Sequence, residues 1–233
     1  MSVRFPAMAD PTPTRVHIST RSGKVHVFAA DGVDLTVDGG TMEARADGSI
    51  EVRRAHDARM IELRCPTGTD VTVGTMSGSV ETAGALGGVH VVTMSGKIHI
   101  ERATSVDVRT RSGLVEVGAC SGECRVVATS AKVRVGSAAR ASVAAVSGLV
   151  ALEAVGNAEV KTVSGKVLLG TTGSGRVSVK SISGTVEIVV PREIHPATRL
   201  RSISGRVECE CPVGVDGEIA VKTVSGAIRV SGR

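Results

Sequence analysis

Aromatic residues are nearly absent from this 233-residue sequence, which has no tryptophan or tyrosine and only two phenylalanines, Phe5 and Phe28. Large rings fill the centre of wide globular cores, so a core of that kind is excluded. Valine is abundant, and there are 28 glycines. Because β-branched side chains pack well on pleated surfaces, this composition favours a narrow all-β core of stacked valines.

Long apolar runs are missing as well. The first ten residues lack the apolar stretch of about 7–15 residues that a secretory signal contains. No run approaches the roughly 18 apolar residues of a membrane-spanning helix. We therefore expect a cytoplasmic protein without a membrane span.

Cysteines are few and odd in number: Cys65, Cys120, Cys124, Cys209 and Cys211. An odd number does not suit a disulfide framework and agrees with a reducing compartment. The pairs Cys120/Cys124 and Cys209/Cys211 are separated by about five of the repeats described below. At the spacing of stacked strands this is about 24 Å, too far to share one metal ion. We predict neither a metal site nor another cofactor.

A short motif recurs along most of the chain, and its fullest copy is Thr162-Val-Ser-Gly-Lys-Val-Leu-Leu169. The serine of the motif, or its equivalent, occupies positions 77, 95, 112, 130, 147, 164, 183, 204 and 225, in steps of 17 to 21 residues. A period of this length predicts a solenoid, in which each repeat is one coil that needs its neighbours to bury its apolar face.

Two columns of aliphatic residues appear when the coils are aligned on the serine. The position three residues after it is always valine or isoleucine, and the position four residues before it is valine or leucine. Polar residues alternate with them, as expected of strands with one buried face. Burying each such side chain contributes roughly 1.5–3 kcal/mol. The sequence therefore predicts an all-β, single-stranded β-helix (β-solenoid) of about nine coils of about 17–21 residues, with Ser-Gly at a corner.

We expect three segments along the chain. Residues 1–14 contain three prolines and no periodicity, which predicts a flexible tail. Residues 15–70 show strand-like alternation and looser copies of the motif, so we expect irregular strands that cap the solenoid. Residues 71–233 form the regular β-helix and, with residues 15–70, one continuous domain.

The repeated Thr-x-Ser-Gly-x-Val-x-Val pattern, preceded by the alternating stretch 61–73, resembles a bacterial β-strand-repeat domain family of unknown function whose members are often labelled putative adhesins. The resemblance covers about residues 15–230. In coil length the chain is also similar to the bactofilins, which are cytoskeletal β-helices that polymerise end to end. Neither resemblance implies a catalytic motif.

An enzymatic function is not favoured by the residues themselves. A serine nucleophile need not recur nine times, and no Asp/His arrangement accompanies any one of these serines. Some β-helices cleave polysaccharides with paired acids, and Glu187 and Glu208 hold equivalent positions in coils that the repeat predicts to be adjacent. Arg206 and Arg229 are placed to neutralise that pair. We predict a non-enzymatic protein.

Positive charge is concentrated in residues 161–233, which account for the whole formal net charge of +5. An outward column three residues before the serine forms a predicted basic stripe whose members lie in successive coils in this order: Lys161, Lys180, Arg201 and Lys222. Two longer loops, 190–197 and 211–218, fall at one edge, and the first contains Arg192 and His195. These residues predict a binding module for a protein or anionic partner. The lack of aromatic rings disfavours nucleic acid.

The column immediately before the serine is apolar in the C-terminal half: Val146, Val163, Ile182, Ile203 and Val224. Strict alternation points it outward, whereas a corner that reverses the alternation points it inward. An outward column would be a lateral interface. The last coil, with Ile228 and Val230, has no cap after it and is predicted to present an uncovered end. Our first hypothesis is a scaffold that forms homo-oligomers or polymers through these surfaces, and the binding module is the second.

Overall fold

The computed structural model describes residues 3–4, 15–56, 58–173, 175–212 and 214–232, which contain twelve strands and no helix. The strands are β1 (Val3–Arg4), β2 (Arg15–Ala30), β3 (Thr36–Asp38), β4 (Gly40–Ala44), β5 (Ile50–Arg54), β6 (Met60–Pro66), β7 (Asp70–Thr171), β8 (Arg176–Val190), β9 (Ala197–Ser202), β10 (Val207–Cys209), β11 (Glu218–Ser225) and β12 (Ile228–Gly232). Except for Val3 and Arg4, the predicted tail 1–14 lies outside the described residues.

The chain divides into an N-terminal unit, Met1–Cys120, and a C-terminal unit, Ser121–Arg233, with β7 contributing to both. The predicted domain limits and the single continuous domain stay predictions.

The N-terminal unit is a stack of parallel coils with an antiparallel cover. The coil formed by β2 pairs in parallel with the start of β7 on one side, Val16 opposite Val71. On its other side it pairs in parallel with β5 and β6. Strands β3 and β4 then lie antiparallel on β6 and β5, and β1 pairs with β3. The non-repeating segment 36–44 thus covers the outer coil, β5–β6.

The C-terminal unit is also a stack of parallel coils, but its spatial order differs from its chain order. Serine stands opposite serine where β7 meets β8, at Ser164 and Ser183. Strands β11 and β12 pair with β8, while β9 pairs with β11 and β10 pairs with β12. The last coil in sequence therefore lies between β8 and the coil formed by β9 and β10.

Inward-facing composition explains this order. The inward positions of β11–β12 are Ile219, Val221, Thr223, Ile228 and Val230, and their partners in β9–β10 are Thr198, Leu200, Ser202, Val207 and Cys209. The first set is richer in large aliphatic side chains. A coil covered on both faces buries more area than the outermost coil, so the more apolar coil is more stable in the inner position.

The buried residues confirm the predicted β-helix. Both aliphatic columns point into the coils, as at Val160 and Val167. At several corners, the hydroxyl two residues before the serine is buried and donates to the serine carbonyl, as from Thr110 Oγ1 to Ser112 O at 2.9 Å. Gly165 has a φ of +143°, and a Cβ there would overlap the carbonyl oxygen of Gly148 in the adjacent coil. Glycine is thus required at this corner both for its conformation and for its close approach.

Candidate functional site

The column immediately before the serine points outward, which decides between the two orientations left open by the sequence. Its members in the C-terminal unit are about half exposed, apart from Ile203, which is 82% exposed. The residue before each of them is directed inward, and it is a buried alanine or hydroxyl residue except at the half-buried Ser202. Strict alternation is therefore kept up to the corner. In spatial order this apolar stripe consists of Val146, Val163, Ile182, Val224 and Ile203.

The four cations of the basic stripe are also brought together. Lys161 lies opposite Lys180, Lys180 opposite Lys222, and Lys222 opposite Arg201. The predicted order of the last two was wrong, because the last coil is inserted. Lys161 Nζ lies 2.7 Å from Glu159 Oε1, and this contact holds the pKa of the Glu159 carboxyl below its ordinary value. One of the four charges is therefore partly neutralised.

The two C-terminal loops contact each other. His195 N donates to Asp216 Oδ2 at 3.1 Å, and Asp216 N donates to His195 O at 2.9 Å. His195 Nδ1 lies 3.6 Å from the same carboxylate. His195 therefore holds one loop to the other, whereas Arg192 is exposed. These contacts show how the two loops are joined. That Arg192 and His195 bind a partner stays a prediction.

Uncovered inward residues occur on β9, β10 and the corner 203–206 between them, which we call the terminal edge. Within the described ranges, no strand pairs with the outer side of β9 or β10. Val207 faces inward by register with Ile228, yet it is 42% exposed, and Leu200 is half-buried. The exposed end of the unit is therefore made by β9 and β10, a coil that chain order alone would place inside the stack.

The expectation that Ile228 and Val230 form the uncovered end is wrong. Both are fully buried, because β12 is paired with β8 on one side and with β10 on the other. A signal for the true end was present in the sequence. Thr198 interrupts the inward apolar column of that coil at the position where the last coil has Ile219, and such a coil loses less by lying outermost.

The paired-acid arrangement is absent from the described residues. Arg229 stands between the two carboxylates, since Glu187 and Glu208 each lie opposite it in register. The acids are thus two strand spacings apart, about 9.6 Å. Arg229 Nη2 lies 2.7 Å from Glu208 Oε2, and Lys166 Nζ lies 2.9 Å from Glu187 Oε1. These carboxylates are held in separate ion pairs.

The cysteines are free. Cys209 Sγ and Cys211 Sγ are 3.3 Å apart, and burial, together with the neighbouring Cys209, raises the pKa of Cys211 to about 11. In the part of the chain that is described, no three His, Cys, Asp or Glu side chains cluster as metal ligands would.

Parallel coils, inward aliphatic columns and repeated corners define a single-stranded β-helix. The Toastrack DUF4097 family model matches residues 9–232, so the chain belongs to this family, whose function is unknown. Among curated proteins, none is significantly similar to the chain. No described helix is long and apolar enough to cross a membrane. The architectural similarity to bactofilins stays a prediction.

The solved structures that are similar to the chain include two whose descriptions refer to adhesion. One is described as a putative adhesin from Bacteroides fragilis NCTC 9343, with 11% identity over 99% of this chain and 96% of that chain and a TM-score of 0.44. The other is described as a putative cell adhesion protein from Clostridium sporogenes ATCC 15579, with 10% identity over 100% of this chain and 99% of that chain and a TM-score of 0.33.

Proposed function

We propose that this protein is a non-catalytic structural protein that associates with further copies of itself through the terminal edge. The observation that carries the proposal is the outer coil of the C-terminal unit, where inward-facing Val207 is exposed and inward-facing Leu200 is only half-buried. A free strand edge offers unpaired peptide groups, and an uncovered core layer offers apolar area. Both are removed from water when another strand is added.

The apolar stripe extends this surface. Its last member, Ile203, lies at the corner of the terminal edge, and Val224 precedes it in the adjacent coil. Exposed aliphatic side chains on neighbouring strands form a contiguous patch, which is typical of an interaction surface. The stripe is the second contact through which copies associate.

Sedimentation velocity over a wide range of protein concentration tests the proposal. We expect the mean mass to rise with concentration, and the double substitution Ile203→Lys and Val207→Lys to suppress the rise. The matched control is Thr129→Lys and Ser130→Lys, which adds the same charge at an exposed corner of the same unit. A wild-type protein that remains monomeric at every concentration contradicts self-association.

The basic stripe favours a second function, the binding of an anionic partner. A groove of about 720 Å³ is lined by Lys180, Arg201 and Lys222 together with Leu200, Ile203 and Val224. Neighbouring cations about 4.8 Å apart repel one another, and a polyanion placed along them relieves this repulsion. An anionic ligand with an apolar part fits this lining.

Heparin chromatography tests the second function with a matched pair of variants. Four substitutions of the basic stripe, K161E, K180E, R201E and K222E, should lower the salt concentration needed for elution more than R111E, R125E, K132E and R140E. The control residues are all exposed, so the net charge changes equally. Equal elution of the two variants would show that total charge, rather than the stripe, governs binding.

A further inference from the structure

The two strands of the terminal edge carry opposite charges. Arg199 and Arg201 are exposed on β9, and Glu208 and Glu210 point to the same outer surface on and just after β10. The pattern reads Arg-x-Arg before the corner and Glu-x-Glu after it. Arg201 and Glu208 lie equally far from the midpoint between Ser204 and Gly205, and so do Arg199 and Glu210. Each of these arginines before the corner therefore has a glutamate at the same distance after the corner.

The free backbone groups follow the same symmetry. Ile203 N donates to Thr223 O, Glu210 N donates to Val230 O, and Arg206 O accepts from Ile228 N. Successive residues of a strand direct their peptide groups to opposite sides. Alternation from these bonds directs the N–H and C=O groups of four residues to the free edge: Leu200, Ser202, Val207 and Cys209.

We propose that two copies join at their terminal edges across a two-fold axis that passes through the Ser204–Gly205 corner. Such an axis places β9 of each copy antiparallel to β10 of the other, and both contacts are then the same by symmetry. Arg201 lies opposite Glu208 of the second copy, and Arg199 lies opposite Glu210. This proposal rests on the proposed self-association and gives it a defined interface.

The backbone supports the same register. In it Leu200 faces Cys209 of the second copy, and Ser202 faces Val207. All four direct their peptide groups to the free edge, so each pair can exchange two hydrogen bonds, as hydrogen-bonded pairs of an antiparallel ladder do. The side chains of these pairs all face the core, which covers Leu200 and Val207. A register shifted by one residue would lose both the hydrogen bonds and the charge pairing.

Charge swapping tests the interface. The variant R199E/R201E makes the four paired positions all acidic, and the variant E208R/E210R makes them all basic. Each alone should dimerise about tenfold or more weakly than the wild type in sedimentation, because like charges then face each other. Mixing the two should restore a dimer that contains one copy of each. The control K161E/K180E, which reverses charges away from the edge, should dimerise like the wild type.

Each outcome decides the matter. Circular dichroism of each variant is the check that it is folded. Recovery of the dimer in the mixture is a second check, because misfolded chains would not restore it. If the wild type associates but neither edge variant weakens it, the two-fold interface is wrong while self-association stands. If the variants weaken association and the mixture does not recover, the proposed pairing is also overturned. A monomeric wild type overturns both proposals.

A disulfide tests the register. In a hydrogen-bonded antiparallel pair the Cα atoms are about 5.5 Å apart, within the range that a disulfide spans. The variant L200C/C211S should therefore form a covalent dimer through Cys209 of the second copy under mild oxidation. Two controls, C211S and L200C/C209S/C211S, each lack one of the two thiols and should not. Covalent dimers formed equally by either control would contradict the register.

Discussion

The outermost coils of the two units share an inward-facing pattern and differ in what lies on them. In the N-terminal unit, Ile61 and Leu63 on β6 are fully buried beneath β3, and Val52 on β5 is buried beneath β4. In the C-terminal unit, Val207 on β10 is 42% exposed. Both coils alternate inward and outward side chains, although the sequence between β5 and β6 contains no Ser-Gly pair. The cover is the feature that the outer coil of the C-terminal unit lacks among the described residues.

The cover itself comes from a segment without the repeat. Val37 and Met42 point inward from strands β3 and β4, which run antiparallel to the coils they cover. Antiparallel pairing ends the parallel stack, because a further coil of the repeat would have to approach an edge of different direction. Solenoids generally need such atypical ends to stay soluble. Among the described residues, no such cover lies on the terminal edge. For this reason we propose that copies of the protein associate there.

A matched pair of leucine substitutions should show the largest contrast. Leu63→Ala removes a fully buried side chain and should lower the free energy of unfolding by about 3 kcal/mol or more. Leu200→Ala, at the half-buried edge position, should lower it by less than about 1 kcal/mol. Urea unfolding followed by circular dichroism, at a concentration where the wild type is monomeric, gives both values.

Equal losses in this pair would break the comparison, because they would mean that Leu200 is covered in the monomer. If the loss in unfolding free energy for Leu200→Ala grows with protein concentration, the contrast between the two outer coils becomes sharper. Such growth is expected if the second copy buries that side chain, since association stabilises the folded state by mass action.

Two glycines of the N-terminal unit allow the cover to be loosened. Gly32 and Gly39 both have left-handed backbone, with φ of +68° and +74°, so alanine costs a similar amount of backbone energy at each. Only at Gly39 would a Cβ overlap a neighbour, the carbonyl oxygen of Met60. Gly39→Ala should therefore cost about 1–3 kcal/mol more than Gly32→Ala. Amide hydrogen exchange should also become faster on β6.

The outcome of this experiment bears on how the cover works. Faster exchange on β6 in Gly39→Ala alone would make the N-terminal outer coil resemble the terminal edge. If the two variants have the same stability and exchange, the cover does not depend on the close approach at Gly39.

The inside of the β-helix was predictable because its period is local. A serine every 17 to 21 residues fixes which residues stack, and alternation by two fixes which of them face inward. The order of the last coils was not fixed in this way. Steps of 21 residues precede both Ser204 and Ser225, so either coil can stack on Ser183 in register, and only the inward composition distinguishes them.

The same distinction separates the predicted residue placements that agree with the structure from those that do not. The outward column of Lys161 and Lys180 follows from alternation within neighbouring coils, and the structure brings these residues together. The placement of Ile228 at the end, and of Glu187 beside Glu208, assumed that chain order equals spatial order. The inserted coil overturned both predictions. The surface columns could be predicted from the sequence, whereas predicting which coil lies at the end of the unit required the order in which the coils pack.

Thiol alkylation should show the smallest but most direct contrast between the outer coils. Cys65 on β6 and Cys209 on β10 both face inward by register, but Cys65 is fully buried and Cys209 is exposed. Burial raises the pKa of Cys65 to about 11, so near pH 8 only about a thousandth of this thiol is the reactive thiolate. Its thiolate fraction should rise about tenfold for each pH unit up to that pKa.

Iodoacetamide should therefore label Cys209 in the folded protein while Cys65 stays unlabelled, and peptide mass spectrometry measures both. The variant C209S should lose the fast phase of labelling. Labelling of Cys65 as fast as Cys209 would mean that the N-terminal cover opens readily. Protection of Cys209 as protein concentration rises would instead place it within the interface between copies.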